Sequence, residues 1–427
     1  MIKINTNNLS FSAELLESKY KDISNEAIKG LIKKYDNNEL GFIDLDINHD
    51  IEKINTFVAK NKDNFDSIVV LGIGGSALGT RAIMTALKGK FYNELSKEKR
   101  NNFPKLYILD NVDPIEISQL IEVIDYSRTL FIIISKSGGT LETISQFQFF
   151  KEKVEEKNLD YKKHFVVIAG ENSSFKNDCL KKGLEVFDIP ENVGGRFSVF
   201  TNVGLLPLAF IGIDIEKLLK GITNLKTSFF ETDFKKNPAL LTAIIQYHTY
   251  SELGKNINVI FPYISNFSYF GQWCKQLIGE SLGKKDMGVT VVDAIGVTDQ
   301  HSQLQLYYEG PNDKLLVFIE LEKFENDLKI SNLYNLKFED LMHTEMFGTQ
   351  TSITNYDKLN YTITLDRLCE EVIGELFFLY EFQTAILGEF YKINAFNQPG
   401  VEIGKNITKQ RLEEQFGKID LLNGKIN

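Results

Sequence analysis

The 427-residue chain is sparing with the residues that build metal centres and disulfide frameworks. Its three cysteines, Cys179, Cys274 and Cys369, are far apart, odd in number and fit no metal or redox motif, so they are expected to be reduced, packed thiols of a cytosolic protein. Its five histidines (His49, His164, His248, His301, His343) are scattered, and no pair has the spacing of a metal site, so no metal is expected. Excess positive charge is also missing. With 48 Lys+Arg against 58 Asp+Glu the net charge is −10 and no basic block stands out, which argues against a nucleic-acid partner. An acidic chain that handles an anionic ligand must supply local donors. No long uncharged apolar run occurs. The most apolar helical stretch, 370–391, is interrupted by Glu371, Glu375, Glu381 and Glu389, so it reads as a buried core helix and no membrane span is expected. The opening Met-Ile-Lys-Ile-Asn-Thr lacks the apolar core of a signal peptide, in keeping with a cytoplasmic location. There is no Pro/Ser-rich linker and no low-complexity segment.

What remains is an ordinary globular composition, 43% hydrophobic and 25% charged, long enough for two sizeable cores. Short β-branched runs alternate with helical patterns. Strands are predicted at 66–73, 105–111, 129–135, 164–170 and 184–190, with helices at 76–88, 114–124 and 140–157. The second half repeats the theme, with strands at 256–263, 289–295, 314–321 and 360–366. Its helices are predicted at 214–225, 237–253, 268–281, 298–308, 334–348 and 369–391. Continuous apolar strands between helices imply parallel sheets covered on both faces, so the fold class is α/β with two sheets. The first ~40 residues read as a polar helical arm. Ligands of open α/β sheets lie at the carboxyl ends of the strands, and the chemically suggestive segments fall there.

Gly72-Ile73-Gly74-Gly75-Ser76-Ala77 follows an apolar strand and satisfies a relaxed dinucleotide fingerprint. The acidic residue such a site needs about 20 residues later is missing from the charged, non-strand segment 92–98. A tight strand-to-helix turn and a loop whose amides face a small ligand remain as readings. Ser135-Lys136-Ser137-Gly138-Gly139-Thr140 also joins a strand to a helix. Free helix N-terminal amides and three hydroxyls would cradle a phosphate monoester. An N-capping cluster with Thr140 as cap explains the helix start equally well, though not the number of hydroxyls. Asn192-Val193-Gly194-Gly195-Arg196-Phe197-Ser198 sets an arginine between a glycine pair and an aromatic. Such a permanent cation stabilises a developing oxyanion or, in the plainer reading, bridges two sheets.

Gln272, Gln276 and Glu280 share a helix face at i, i+4, i+8. A carboxylate near the helix C-terminus opposes the dipole and should titrate high, as a general base requires, although a lone glutamate on a helix is usually just solvated. His301, flanked by Asp299, Gln300, Ser302 and Gln303 at a helix start, is a candidate proton donor or an ordinary surface group. Near the C-terminus, Phe396-Asn397-Gln398-Pro399-Gly400 forms a turn from which residues 401–416 continue as an amphipathic helix carrying Lys405.

In this order and spacing the motifs resemble the glucose-6-phosphate isomerase family, from about residue 40 to the C-terminal helix. Val193–Ser198 and Phe396–Lys405 carry the resemblance most specifically. It implies two sugar-isomerase (SIS)-type α/β domains, parallel-sheet αβα sandwiches with an N-terminal helical arm and a C-terminal helix. The smaller would span 40–205 and the larger 1–39 with 206–427. A homodimer is implied, with no metal and no organic cofactor. By the same resemblance Ser135, Ser137, Thr140 and the amide of Lys136 would hold a sugar phosphate. Gly75 and Ser76 would touch the sugar, and Gln276 and Gln398 would line its pocket. His301 and Lys405 would assist ring opening, Glu280 would move a proton between C2 and C1, and Arg196 would stabilise the cis-enediol intermediate. Glucose 6-phosphate and fructose 6-phosphate would be the substrates. The chain departs from the family pattern at Gly139, where a second threonine is usual, and at Asn397, where aspartate is usual. An isomerase acting also on mannose 6-phosphate, a non-catalytic sugar-phosphate sensor and, third, a dehydrogenase are the competing readings. A sensor of this kind usually carries a DNA-binding helix-turn-helix, for which the short acidic N-terminus is unsuited.

Overall fold

A computed structural model describes residues 1–47, 50–326 and 328–417, together with the backbone of 419–420 and 425–426. The chain divides into two compact units. One comprises Leu40–Met84, Lys88–Ile215 and Phe396–Asn427; the other comprises Met1–Glu39, Thr85–Leu87 and Glu216–Ala395.

The Leu40–Ile215 unit is built on a five-stranded sheet ordered Lys105–Leu109, Ser67–Leu71, Thr129–Ile134, Phe165–Gly170, Glu185–Ile189. Every neighbouring pair is parallel. The three inner strands, SIVVL, TLFIII and FVVIAG, are buried at every residue, so helices cover both faces, as their unbroken apolar runs require. On one face Val69, Phe131, Ile133, Phe165 and Val167 pack with Ile144, Phe147 and Phe150 of the helix Leu141–Glu156 and with Phe175 and Cys179. The Phe131 ring stacks on Phe150 and on Phe165, both at 4.9 Å between centroids, and its truncation to Ala would cost about 3–5 kcal/mol.

In chain order the strands of this sheet run 2-1-3-4-5. The order reverses between Ser67–Leu71 and Thr129–Ile134, and a reversal of this kind opens a crevice at the carboxyl ends of the two strands. The loops that leave those ends are 72–77 and 135–140.

The other unit carries a sheet ordered Ile2–Asn5, Asn360–Leu365, Lys314–Leu321, Ile257–Pro262, Thr290–Asp293. Its last four strands are parallel and repeat the 2-1-3-4 order; Ile2–Asn5 pairs antiparallel at the edge. The helix Glu370–Phe390 is buried along nearly its whole length, Glu375 and Glu381 included, in line with its reading as a core helix. Among the described residues no helix is long and apolar enough to cross a membrane.

Several elements differ from the sequence expectation. The N-terminal segment is not helical throughout, since Ile2–Asn5 forms the edge strand before Ser12 caps the helix Ala13–Asp36. The helix expected at 334–348 starts late. Tyr334 and Asn335 adopt φ of 53° and 58°, closing a hairpin between Lys329–Ile330 and Leu336–Lys337, and the helix is Phe338–Asn355. Residues 206–215 and the segment from Phe396 group with the first sheet. The helix Asn202–Phe210 is buried on all sides and packs on the helix Ile51–Asn61 and the strand Glu185–Ile189. Phe396 packs its ring against Phe42 and Phe197. Cys179, Cys274 and Cys369 are free thiols, the first two buried, and burial pushes the Cys179 thiol up to about 11.

Candidate active site

Three loops at the carboxyl edge of the first sheet interlock. The turn Gly74–Ser76 needs glycine twice for different reasons. Gly74 has φ of 58°, a region closed to most side chains, whereas Gly75 has no room: a Cβ there would meet Gly195 O at 2.2 Å and Arg196 N at 2.8 Å. The 72–77 loop therefore lies directly on the backbone that carries Arg196. The Arg196 side chain is 2% exposed and runs to the segment after Phe396. Its Nη1 donates to Gln398 Oε1 at 2.8 Å and its Nη2 to Asn397 O at 3.1 Å. The Phe42–Phe197–Phe396 ring cluster anchors both ends of that bridge, with 5.0 Å between the Phe42 and Phe197 centroids. In place of a bridge between sheets, Arg196 is a cation clamped within one unit, and a clamped cation of fixed protonation is what an oxyanion site needs.

In the 135–140 loop the hydroxyls organise the backbone. Gly138 N donates to Ser135 Oγ and Gly139 N to Ser137 Oγ, both at 3.1 Å. Gly138 has φ of 70°, and a Cβ there would strike Phe175 at 2.4 Å. Thr140 occupies the N-cap position of Leu141–Glu156 but makes no side-chain capping bond; its Oγ1 is 3.3 Å from Ser135 Oγ. The capping reading therefore does not account for this hydroxyl, and the loop sits at a helix N-terminus, a position whose first-turn amides suit an anion. Lys136 sends its ammonium away from this loop, to Glu191 O at 2.7 Å and Val193 O at 3.1 Å. Burial pulls that ammonium below the ordinary lysine range, against the opposing pull of the Glu191 carboxylate.

Gln276 and Glu280 lie on the helix Ser268–Leu282 of the other unit. Phe270, Trp273, Cys274, Leu277 and Ile278 form its buried face. Gln272, Gln276 and Glu280 line the margin of that face, half-buried, as their i, i+4, i+8 spacing implies. Gln276 Nε2 donates to Glu280 Oε1 at 3.1 Å. The other end of that amide, Gln276 Oε1, is buried with no partner among the described residues, an acceptor next to a carboxylate awaiting a donor.

His301 is exposed in the first turn of Thr298–Glu309. The polar residues around it hold the helix in place: Asp299 Oδ2 accepts from Ile295 N at 2.7 Å, and Gln300 joins Tyr263 and Glu345. Lys405 is exposed. The helix Glu402–Phe416 has no buried residue, and the Lys405 ammonium pairs with Glu402 at 2.9 Å. Sequence reasoning misses the grip of Gln398 and Asn397 on Arg196, and the bond from Lys136 to the 191–193 carbonyls. Only the glycine pair Gly194-Gly195 beside Arg196 hints at close backbone approach.

A family model described as phosphoglucose isomerase matches residues 47–420. A curated relative from Methanococcus maripaludis, named "Probable glucose-6-phosphate isomerase", is 41% identical over 99% of this chain and 95% of its own length. A glucose-6-phosphate isomerase of Methanocaldococcus jannaschii is 39% identical over 89% of this chain and 92% of its own. Among solved structures, a hypothetical protein from Thermus thermophilus superposes with a TM-score of 0.88 at 32% identity, covering 96% of this chain and all of that one. A glucose-6-phosphate isomerase from Chlamydia trachomatis, at 24% identity and a TM-score of 0.76 over 87% of this chain and 74% of its own, shares the fold. The two α/β sheets are thus of the sugar-isomerase type, and the chain belongs to the phosphoglucose isomerase family.

Proposed function

We propose that this protein interconverts glucose 6-phosphate and fructose 6-phosphate by ring opening and proton transfer through a cis-enediol. The observation that carries the reading is the clamped Arg196, 2% exposed and bonded to Gln398 and Asn397, in a loop that lies against Gly75 and is tied by Lys136 to the 135–140 turn. An aldose–ketose shift needs a phosphate anchor, a fixed cation and one base.

Ser135, Ser137, Thr140 and the Lys136 amide take the phosphate, with Gly75 and Ser76 against the sugar. His301 and Lys405 move protons at the ring oxygen and the anomeric hydroxyl, opening the ring. Glu280 then removes the C2 proton. The C2–H electron pair becomes the C1–C2 double bond, and the aldehyde oxygen takes up the charge, which Arg196 stabilises. Transfer of the C2 hydroxyl proton to the charged O1 and return of the proton from Glu280 to C1, with the carbonyl re-formed at C2, gives the ketose. Gln276 orients the Glu280 carboxylate through its Nε2, and its unpartnered Oε1 receives a sugar hydroxyl. No group in this scheme calls for a metal or an organic cofactor.

A cytoplasmic setting accords with the free thiols at Cys179 and Cys274. A homodimer accords with the helix Glu402–Phe416, which buries none of its residues and leaves Ile403 and Ile407 on one exposed side, since an isolated helix of this length is marginal in water. Light scattering of the purified protein tests the second point, with a monomer at micromolar concentration as the refuting result.

The decisive assay follows formation of glucose 6-phosphate from fructose 6-phosphate by a coupled dehydrogenase in the presence of EDTA. Turnover is expected. Binding of the sugar phosphate without turnover would instead support the sensor reading, and turnover of mannose 6-phosphate alone would reassign the substrate.

A further inference from the structure

A lysine in a phosphate-binding turn would ordinarily be taken for a phosphate ligand. Lys136 is placed otherwise. Two of its three ammonium hydrogens are directed at the carbonyls of Glu191 and Val193, and the Glu191 carboxylate lies 3.9 Å from the same nitrogen. All of these belong to the segment that leads into Gly194, Gly195 and Arg196.

The other end of the residue is fixed as firmly. Lys136 O accepts from Gly170 N at 2.8 Å, and Ser135 N donates to Ile168 O at 3.1 Å, so the loop continues the register of the two adjacent strands. Gly170 packs closely on the same residue, since a Cβ there would meet Lys136 O at 2.7 Å and the Lys136 Cγ at 3.2 Å. Glu191 is tied back in turn, its Oε1 accepting from Asn172 N at 3.2 Å.

We infer that the Lys136 side chain is a positioning residue for Arg196: its ammonium pins the 191–193 backbone to the phosphate-binding turn, fixing the distance between the phosphate anchor and the cation that meets the enediolate. The inference rests on the isomerase reading. It assigns Lys136 two separate duties, the backbone amide to the phosphate and the side chain to the arginine loop. Cationic donation to two neutral carbonyls suits this purpose because charge-assisted hydrogen bonds are shorter and stronger than neutral ones.

The test compares wild-type enzyme, Lys136→Met, Lys136→Arg, Arg196→Met and the double variant Lys136→Met/Arg196→Met. The readouts are kcat and KM for fructose 6-phosphate and inhibition by a sugar-phosphate hydroxamate that mimics the planar enediolate. Wild-type turnover establishes the isomerase reading independently of the variants. Lys136→Met is expected to lower kcat roughly 10- to 100-fold, the scale of loss from about 1 Å of misplacement, with KM changed less than about threefold. Hydroxamate affinity should fall in proportion to kcat, and Lys136→Arg should recover most of both. In the Arg196→Met background the same change should cost less than about twofold, because a residue that acts through Arg196 has nothing left to position. A rise in KM at constant kcat would make the ammonium a direct phosphate ligand and overturn the inference. So would equal losses with and without Arg196. Should Lys136→Met not fold, Lys136→Gln, which keeps a shorter and neutral amide donor, takes its place in the same cycle with the same criteria.

Discussion

Substituting Gly75 by alanine separates positioning from folding more sharply than removing any catalytic group. The new methyl would lie 2.2 Å from Gly195 O, 2.3 Å from Gly195 C and 2.8 Å from Arg196 N, where ordinary contact begins at 3.4 Å. All three atoms are backbone, so no rotamer change relieves the clash. One loop must retreat by the difference of 3.4 and 2.2, or 1.2 Å. If the 194–197 turn moves while the guanidinium stays on Gln398 and Asn397, the arginine is stretched; if the guanidinium follows, its 2.8 Å bond to Gln398 opens beyond hydrogen-bonding range. Overpacking of this kind costs about 1–3 kcal/mol of stability, but displacement of the cation by about 1 Å costs on the order of 100-fold in rate. The expected outcome is therefore a folded enzyme with a modestly lowered melting temperature and kcat down by about two orders of magnitude, with KM little changed. Steady-state kinetics in the coupled assay, alongside a thermal melt, decides it. A kcat within twofold of wild type would show that the Gly75 contact does not fix Arg196.

Glu280→Gln should slow exchange of the C2 proton with solvent by roughly 10²–10⁴-fold while sugar-phosphate binding survives; proton NMR in deuterium oxide reads the exchange, and a wild-type rate would remove Glu280 as base. Gly348, inside the helix Phe338–Asn355, has open space where a methyl would project, with nothing within 4 Å, so Gly348→Ala should stabilise by about 0.5–1 kcal/mol in urea melts at unchanged activity. Asp66 is held down to about 2, below its usual 3.8, chiefly by hydrogen bonding from Arg128 and further by Lys97. A depressed carboxylate stabilises the fold above its unfolded pKa and loses that contribution as pH falls through its folded one. Because these side chains are well exposed, Asp66→Asn should cost only about 1 kcal/mol at neutral pH, and the gap to wild type should close between about pH 4 and pH 2. A gap that persisted at pH 2 would refute the assignment.

The strands were legible because each inner strand is an unbroken apolar run, and such runs between amphipathic segments admit few alternatives. What escaped was whatever depended on context. Asn202-Val-Gly-Leu-Leu-Pro-Leu-Ala-Phe210 is a helix buried on every side, so it shows no periodicity to read. The hairpin at 329–337 depends on left-handed backbone at Tyr334, which no preference of tyrosine announces. At the site, each loop could be read for its own chemistry, but not for its neighbours. Arg196 and Gln398 are 202 positions apart, and the Lys136–Glu191 bond spans 55. Nothing local in either segment encodes the other.

The rule that ligands of open α/β sheets gather at the carboxyl ends of strands where their order reverses accounts for only part of the proposed machinery. It holds for the first sheet, where the two loops at the reversal carry Gly75, Ser76 and the phosphate-binding turn. His301 meets only half of the rule: it lies in the first turn of a helix just past the carboxyl end of Thr290–Asp293, an edge strand and not one of the two at the reversal. Glu280 does not obey it. The helix Ser268–Leu282 starts soon after Ile257–Pro262, and Glu280 comes 12 residues further on, about 18 Å along the axis at 1.5 Å per residue. What sets the side on which Glu280 lies is the helix surface: Phe270, Trp273, Cys274 and Leu277 fix the rotation of the helix, and that rotation leaves Gln272, Gln276 and Glu280 together at the edge of the buried face. The proposed base is thus placed by packing where the proposed phosphate anchor is placed by topology. Substitutions that turn this helix, such as exchanging Trp273 for a small residue, should accordingly disturb Glu280 without touching phosphate binding.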